Sequence, residues 1–407
     1  MSPQIIIVGG GIAGLWTLRR ALALGYDAIA LEQNAIGCGQ TLASQGILHS
    51  GVKYGLDGAS RQIATLLKSL PPRWSACFAG HGELDLSAAR IHAHSQHLWA
   101  SANWLDKIAA GVGARAMQSE VHALQQDAWP AALRDGGHRG SVYELAESVV
   151  DVKSVCQALA APVRERILRG NVVDAEIAPD GKLQAIRVDG AHKSRGNLAP
   201  PLPQGEGWGE GCRLSAEAFI FTSATGNETI AAMLGLGSAI AQRRPLRQIM
   251  LRGRLPLLYG HGVSASPKPL ITITSHPLNG ETVWYLGGGV AEAGAAMSET
   301  AAIAHAQQTL QQGFPRLDLS GTRWASWLVD RAEPHASSML PDGPALLERG
   351  NAVICWPTKL VYAPVLAERA LAFAARRLQP RGLSPVEIAL PPAEFSTFPW
   401  ESVQWQS

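Results

Sequence analysis

The stretch Ile5–Leu15, IIIVGGGIAGL, decides the fold of this chain, because an apolar strand runs directly into closely spaced glycines. The order strand, G-x-G-x-x-G turn, helix is the start of a βαβ unit that binds dinucleotides. Gly9 allows the tight turn, Gly11 lets the backbone approach a pyrophosphate, and Gly14 lets the helix pack closely on the sheet. The helix start offers free N–H groups and a positive dipole end to phosphates.

A second strand, Ala28–Glu32, follows the helix and ends in a carboxylate. Glu32 lies about 20 residues past the glycines, the distance at which an acidic side chain accepts hydrogen bonds from ribose hydroxyls. A lone G-x-G-x-x-G motif is weak evidence, but its placement between an apolar strand and a helix makes it specific. The sequence therefore predicts dinucleotide binding, against the alternative of a glycine-rich turn in another kind of α/β protein.

Length and composition favour a globular protein of more than one domain. The chain has 407 residues, so we expect two compact units. Hydrophobic residues make up 46% and charged residues 17%, which is typical of proteins with large cores. The formal net charge is +2 and no run concentrates Lys and Arg, so we expect no nucleic-acid partner.

Five scattered cysteines lack C-x-x-C spacing, and the histidines lack metal-ligand spacing. Neither a disulfide framework nor a metal site is predicted, and a reducing compartment is favoured. The first strand begins by Ile5, which leaves no room for a signal peptide, and no apolar run of about 18 residues could span a membrane. We expect a cytoplasmic protein with no transmembrane segment, and peripheral contact with the inner membrane face is left open.

Hydrophobic periodicity predicts several helices. We expect one over 61–70, stopped by Pro71-Pro72, another over 92–110, and a third over 152–168 that begins after the capping residue Asp151.

Turn residues predict the connections that follow. Asp180-Gly181 indicates a hairpin, and the strand 218–221 runs into a turn of small residues. The segment 192–213 is dense in Pro and Gly and lacks periodicity, so we expect a flexible insertion there, with a functional lid as the alternative.

The whole pattern, from Ile5 to about Arg377, resembles the D-amino-acid-oxidase-like superfamily of FAD-dependent oxidoreductases. One block is the fingerprint with Glu32. Another is Gly39–Tyr54, GQTLASQGILHSGVKY, whose His-Ser-Gly-x-x-Tyr run is most similar to L-2-hydroxyglutarate dehydrogenases and more distantly to flavin-linked glycerol-3-phosphate dehydrogenases. The remaining blocks are Val149–Asp151 with Ala218–Gly226, and Trp327–Arg331 with Pro341–Pro344.

The resemblance implies an α/β fold with a discontinuous Rossmann-like FAD-binding domain and a smaller antiparallel-sheet substrate domain. The FAD-binding domain would combine residues 1–75, 145–235 and 325–407, and the substrate domain 76–144 and 236–324. The positions that match the family's FAD contacts are Gly9, Gly11, Ile12, Ala13, Gly14, Glu32, Gln33, Gln40, Thr41, Ser44, Gln45, Gly46, Val173, Ala224, Gly226, Thr358, Lys359 and Leu360.

One segment departs from the family pattern. Relatives usually carry a Gly-x-Gly loop beside the flavin pyrimidine ring, where this chain has Trp356–Leu360, WPTKL. The FAD contacts expected from Thr358, Lys359 and Leu360 therefore depend on a backbone path that the sequence does not guarantee.

Three residues are candidates for catalysis. Arg331 would anchor a substrate carboxylate, because a planar guanidinium binds it through two hydrogen bonds; the alternative is an ion pair with Asp330 or Glu333. A histidine side chain can accept a proton in neutral solution, so His49 could act as the base or contact the flavin, with a structural role or a covalent flavin link as alternatives. Lys359 could stabilise the reduced flavin, or be a solvated lysine.

The expected function is FAD-dependent oxidation of a small 2-hydroxy or 2-amino acid by hydride transfer to flavin N5. Tyr54, Tyr259 and Tyr285 are expected to line the substrate pocket. Oxygen, a quinone or an electron-transfer protein would accept the electrons. The alternatives are a flavin-linked polyol-phosphate dehydrogenase, a non-catalytic FAD-binding subunit, and an NAD-dependent dehydrogenase, which the first motif alone allows.

Overall fold

The computed structural model describes residues 2–50, 61–100, 121–190, 212–237, 240–263, 268–335 and 343–406. Within this part of the chain, no helix is long and apolar enough to cross a membrane. Tyr54 lies outside the described residues. So does the predicted insertion 192–213, apart from its final positions Cys212 and Arg213, which belong to a strand.

Eight strands form the first sheet. Numbered along the chain, they are β1 (Ile5–Val8), β2 (Ala28–Glu32), β8 (Ile167–Ile177), β9 (Leu183–Gly190), β10 (Cys212–Leu214), β11 (Ala218–Phe221), β17 (Ala345–Arg349) and β18 (Ala352–Trp356). Their order is β10-β9-β8-β2-β1-β11-β18-β17. β1 pairs in parallel with β2 on one side and with β11 on the other, so two strands that precede turns of small residues end at the same edge.

The central strand β1 is buried on both faces. Ile5 and Ile7 pack into one apolar cluster, and Ile6 and Val8 into another. This explains the unbroken apolar run, because a parallel sheet is covered on both sides. On one side, helix α1 (Ile12–Ala23) packs against α8 (Ala363–Ala375).

The structure describes seven further α-helices. They are α2 (Arg61–Phe78), α3 (Ala131–Asp135), α4 (Val152–Ala160), α5 (Asn227–Met233), α6 (Gly289–Gly294), α7 (Glu299–Gly313) and α9 (Pro399–Ser402). The predicted cap of α4 is confirmed, because the Asp151 carboxylate accepts a hydrogen bond from the Ser154 N–H at 2.9 Å.

The second sheet also has eight strands. They are β4 (Gln96–Ala100), β5 (Val121–Ala123), β6 (Ser141–Leu145), β12 (Ala241–Gly253), β13 (Gly260–Val263), β14 (Ile271–Leu278), β15 (Glu281–Gly287) and β16 (Arg323–Pro334). Their order is β16-β12-β15-β14-β13-β4-β6-β5, and only β13 and β4 of these are parallel neighbours. A separate pair joins β3 (Ile91–Ala93) and β7 (Val149–Val150). The two large sheets and their helices confirm the α/β fold class.

The boundary predicted at residue 325 falls inside β16. This strand pairs with β12 from Arg323 to Pro334, so it belongs to the second sheet and not to the first. The division of the chain into two domains stays a prediction.

The helix predicted over 92–110 is wrong in its described part. Residues 91–93 and 96–100 form β3 and β4, while 101–110 lie outside the described residues. β4 is hydrogen-bonded on both sides, to β6 and to β13, and these long-range pairings override the helical periodicity.

The predicted stop at Pro71-Pro72 is also wrong. α2 continues through both prolines to Phe78. Its later turns bury Leu67, Leu70, Trp74 and Cys77, one face at helical spacing. The free energy gained by burying this face offsets the cost of the backbone hydrogen bonds that the prolines cannot make.

The C-terminal tail, residues 384–406, connects the two sheets. Its backbone bonds to Ile167 and Arg169 in the first sheet, and Gln406 pairs with Trp324 in the second. Between these points, Trp400 is 2% exposed, with its ring centroid 4.2 Å from His276 and 4.3 Å from Phe398. No predicted element covered this segment.

We expect Trp400→Ala to lower the free energy of unfolding by about 3–5 kcal/mol, because it empties a buried aromatic site. The matched control is Trp405→Ala in the same tail. Trp405 is only half-buried against the Arg252 guanidinium, so its loss should cost about 1 kcal/mol. Urea unfolding followed by circular dichroism measures both. Equal losses would show that Trp400 does not join the tail to a shared core.

Candidate active site

A cavity of about 1010 Å³ lies where the carboxyl ends of β1, β2, β11 and β18 meet the second sheet. This is the edge at which parallel α/β sheets bind ligands. Of the predicted FAD contacts, these line it: Gly9, Gly11, Ile12, Ala13, Glu32, Gln33, Gln40, Thr41, Ser44, Gln45, Gly46, Val173, Ala224, Gly226, Thr358, Lys359 and Leu360. Gly14 is not among the lining residues.

The fingerprint glycines meet different neighbours. Gly9 has φ +115°, and a Cβ there would lie 2.6 Å from the Thr222 carbonyl oxygen. A Cβ on Gly14 would lie 1.8 Å from the Gly9 carbonyl oxygen, so this glycine serves the packing of α1. Gly11 has φ −79°, which suits any residue, and its Cβ would meet only the Thr41 side chain, at 2.8 Å from Oγ1.

Glu32 is buried and holds the turn that precedes α1. Its carboxylate accepts hydrogen bonds from the N–H groups of Gly10 at 2.7 Å and Asn34 at 2.8 Å. Burial raises the pKa of Glu32, and these hydrogen bonds oppose that rise. Glu32 therefore has a structural role at this end of the cavity in addition to the ribose contact predicted for it.

Three buried polar atoms of cavity-lining residues have no hydrogen-bond partner among the described residues. They are Ser44 Oγ, Gln248 Oε1 and Trp356 Nε1. Buried polar atoms are normally paired in folded proteins, so unpaired ones around a cavity indicate places for a polar ligand. Together with the glycine turn and the α1 N-terminus, they fit a large dinucleotide such as FAD.

The loop that replaces Gly-x-Gly has a glycine-like conformation at one residue. Thr358 has φ +60°, and Ala224 at the end of β11 has φ +51°. Both line the cavity, and a left-handed backbone is costly for residues with a Cβ. The Thr358 hydroxyl lies 2.6 Å from the Pro357 carbonyl oxygen, to which it donates. The departure from the family sequence therefore retains a backbone shape that glycine favours.

His49 lies at the cavity and is held by a carboxylate that sequence reasoning missed. The Nδ1 atom of His49 lies 3.2 Å from Oε2 of Glu147, a side chain that is 3% exposed. The N–H and hydroxyl of Ser50 both donate to Glu147 Oε1 at 2.7 Å, and Gln96 Nε2 donates to Oε2. Burial would raise the pKa of Glu147, but the hydrogen bonds from His49 and Ser50 outweigh it and lower the pKa.

One face of the second sheet closes the cavity. Gln248 lies opposite Trp327 on β12 and β16, and both line the cavity. On β15, Gly287 also lines it and lies opposite Thr272. Thr272 lies opposite His261, whose ring stacks on that of His49 at 5.4 Å. Gln248 is one of several polar residues of β12, so nothing in the sequence pattern singled it out.

Arg331 lines the cavity and is also ion-paired with Glu333, while its role as an anchor for a substrate carboxylate stays a prediction. Its guanidinium lies 3.0 Å from Oε1 of Glu333, which is fully buried, and Arg244 lies 3.5 Å from the other carboxylate oxygen. Both contacts are ion pairs, and neither Glu333 oxygen accepts a hydrogen bond from the described residues. Two guanidinium groups share one carboxylate, so these three side chains together carry one net positive charge, while the adjoining Arg243 is paired with both Glu228 and Asp330.

The other predicted residues divide between cavity and core. Lys359 lines the cavity, with its ammonium 5.5 Å from the centre of the Tyr362 ring. Tyr285 is fully buried and donates its hydroxyl to the Ala43 carbonyl at 3.2 Å, while Tyr259 stacks on His92. Neither tyrosine is among the residues that line this cavity, so their place in the substrate pocket stays a prediction.

The arrangement brings three kinds of group to one cavity. Backbone N–H groups and glycines face one end, a carboxylate-bound imidazole lies at a second point, and cationic side chains at a third. Such a set can hold a dinucleotide, bind an anionic substrate and accept a proton.

A family model described as FAD dependent oxidoreductase matches residues 4–350. A curated protein of Pseudomonas aeruginosa named probable FAD-dependent oxidoreductase is 37% identical over 396 residues, which cover 96% of this chain and 95% of that protein. The crystal structure of an FAD dependent oxidoreductase from Pseudomonas aeruginosa has a TM-score of 0.79 at 34% identity and covers 98% of both chains.

More distant structures share the fold alone. Glycine oxidase from Geobacillus kaustophilus has a TM-score of 0.62 at 16% identity and covers 93% of this chain and 95% of its own. Dithionite-reduced L-α-glycerophosphate oxidase from Mycoplasma pneumoniae, with FAD bound, has a TM-score of 0.65 at 13% identity and covers 95% and 100%. The particular likeness to L-2-hydroxyglutarate and glycerol-3-phosphate dehydrogenases is only weakly supported.

We expect Gly11→Ala to weaken FAD binding about tenfold or more, which is about 1.4 kcal/mol, while the fold survives. The new methyl group meets a small side chain that can turn, but it would take space beside the pyrophosphate. Fluorescence titration of apoprotein with FAD gives the dissociation constant.

Two glycine variants serve as controls for Gly11→Ala. Gly313→Ala meets nothing within 4 Å and should leave FAD binding and stability near those of the parent. Gly9→Ala meets backbone at φ +115° and should lower stability and FAD content together. If Gly11→Ala bound FAD as tightly as the parent, Gly11 would not lie beside the pyrophosphate.

Proposed function

Because the chain belongs to the family of FAD-dependent oxidoreductases, we propose that it oxidises a small 2-hydroxy or 2-amino acid. The observation that carries this proposal is that one cavity is lined by the dinucleotide fingerprint, by His49 and by Arg331. A proton acceptor and a carboxylate-binding cation therefore lie in the space that the cofactor would share with its substrate.

In this proposal, several parts of the chain hold FAD. Glu32 would bind the ribose of the adenosine, and Gly11 with the first N–H groups of α1 would face the pyrophosphate. Gln45 and Lys359 would flank the flavin ring. Bound FAD supplies the redox chemistry, because it accepts an electron pair with a hydrogen from the substrate carbon.

His49 is proposed as the group that takes the proton from the substrate hydroxyl or amine. Its Nδ1 faces Glu147, so Nε2 is the ring nitrogen left for the substrate. A positioned imidazole contributes about 10²–10⁴-fold to a rate by such transfer.

Arg331 is proposed as the carboxylate anchor. Its pairing with Glu333 orients the guanidinium and does not neutralise the site, because Arg244 shares the same carboxylate. Gln248 adds an amide to the wall of the same cavity, next to Trp327.

A second candidate is oxidation of a polyol phosphate. The same excess positive charge around Glu333 suits a phosphate as well as a carboxylate. The same proposal includes reoxidation of the flavin by oxygen, a quinone or an electron-transfer protein. A non-catalytic flavin subunit is less well supported, since Thr358 keeps the glycine-like backbone in the loop whose sequence departs from the family.

The direct test is anaerobic reduction of the bound flavin by a panel of hydroxy acids, amino acids and glycerol phosphates. We expect bleaching of the flavin absorption band by at least one 2-hydroxy or 2-amino acid. Reduction by the phosphates alone would transfer the proposal to the second candidate. If the protein binds FAD but no compound of the three classes bleaches the flavin, both candidate functions would be rejected.

We expect Arg331→Lys to lower the rate of flavin reduction at low substrate by roughly 30-fold, or about 2 kcal/mol, with normal FAD content. One ammonium keeps the charge but cannot form the two parallel hydrogen bonds of a guanidinium. Alcohols without a carboxylate should react poorly with the parent and be almost unaffected by the change. A joint loss of stability and FAD content, with substrate preference intact, would mean that Arg331 is structural.

A further inference from the structure

The carboxylate of Glu147 is buried beside an imidazole that reaches the cavity. Glu147 precedes β7 and lies far in sequence from His49, yet its Oε2 is 3.2 Å from the imidazole Nδ1. Its other oxygen accepts two hydrogen bonds from Ser50. Glu147 itself is not a cavity-lining residue, so it would act on a substrate only through His49.

The charges of this pair restrict the imidazole to one arrangement. An ionised carboxylate can only accept hydrogen bonds, so the imidazole must carry its proton on Nδ1, the atom that faces Glu147. In the neutral imidazole, Nε2 then has a free lone pair. The ring plane is held separately, by stacking on His261 with an interplanar angle of 24°.

We propose that Glu147 is a positioning residue, which holds His49 with its proton on Nδ1 so that Nε2 receives the substrate proton. This inference rests on the proposed function of His49. In the oxidation, the substrate O–H or N–H bond breaks and its proton goes to Nε2. The C–H bond would break, its hydrogen and electron pair would pass to bound FAD, and a C=O or C=N bond would form.

Glu147 would matter most after that transfer. Imidazolium is a cation at the edge of a buried region, and the adjoining carboxylate compensates its charge. The alternative is a purely structural role, in which Glu147 only connects the backbone at 49–50 to β4 and β7 through its hydrogen bonds with Ser50 and Gln96. The two roles depend partly on different oxygens of the carboxylate. The Ser50 hydrogen bonds end on Oε1, whereas the contact with His49 is made by Oε2.

That difference supplies a matched control. Glu147→Gln removes the ionised partner of Nδ1, and its amide can either accept from or donate to the imidazole. Ser50→Ala removes one hydrogen bond of 2.7 Å to the same carboxylate but leaves Oε2 and the backbone N–H bond in place. Gln96→Ala removes the structural bond that ends on Oε2. A purely structural role predicts damage from Ser50→Ala and Gln96→Ala as well as from Glu147→Gln, whereas a positioning role predicts damage from Glu147→Gln alone.

The first measurement is the tautomer of His49 in FAD-loaded protein labelled with ¹⁵N-histidine, read from long-range ¹H–¹⁵N correlations. His49→Gln identifies the signal by its disappearance. We expect the Nδ1–H form in the parent and in Ser50→Ala, and a mixture or the Nε2–H form in Glu147→Gln. An Nε2–H tautomer in the parent protein would overturn the proposal without any variant having to fold.

The second measurement is anaerobic flavin reduction at a range of substrate concentrations. Glu147→Gln should lower the limiting rate about 10- to 100-fold with little change in the substrate concentration at half-saturation, and Glu147→Asp should restore part of the rate. Equal rates in the parent and Glu147→Gln would contradict the positioning role. If His49→Gln leaves the rate unchanged while the tautomer behaves as expected, the proposed function of His49 fails and the Glu147–His49 contact stands as structural.

Discussion

Helix α1 packs directly on the backbone of the first turn, and the position of the cavity depends on that contact. A Cβ on Gly14 would lie 1.8 Å from the Gly9 carbonyl oxygen, so the helix can approach only without a side chain there. The Thr222 hydroxyl, 3.1 Å from the Val8 carbonyl oxygen, connects β11 to the same turn. The N-terminus of α1 and the ends of three parallel strands are thereby brought to one edge, where the second sheet closes over them.

Three buried carboxylates hold the polar residues of this cavity. Glu32 binds the backbone of the glycine turn, Glu147 binds His49, and Glu333 lies between Arg331 and Arg244. All three side chains are at most 6% exposed. A buried charge is costly unless it is paired, so each carboxylate constrains its partners strongly. The site is organised by acidic residues that themselves do not have to touch a substrate.

Sequence patterns predicted those elements whose cause is local. The strand, turn and helix from Ile5, the Asp151 cap, and the hairpin at Asp180-Gly181 all depend on residues within one or two turns of each other, and all three are present. The patterns gave wrong predictions where contacts with distant parts of the chain determine the secondary structure. β4 is a strand because it is hydrogen-bonded to two neighbouring strands. α2 continues through Pro71 because the face that contains Leu70 and Trp74 is buried in the core.

By itself, the sequence determined the dinucleotide fingerprint and the apolar strands beside it, because glycine spacing and apolar runs act through the local backbone. Only the tertiary structure decided which candidates share the cavity. Tyr285 lies in the core, and Thr358 has a left-handed backbone conformation that glycine usually adopts. His49 and Glu147, 98 positions apart in the sequence, are in contact. Such partnerships come from the packing of sheets, and no spacing along the chain encodes them.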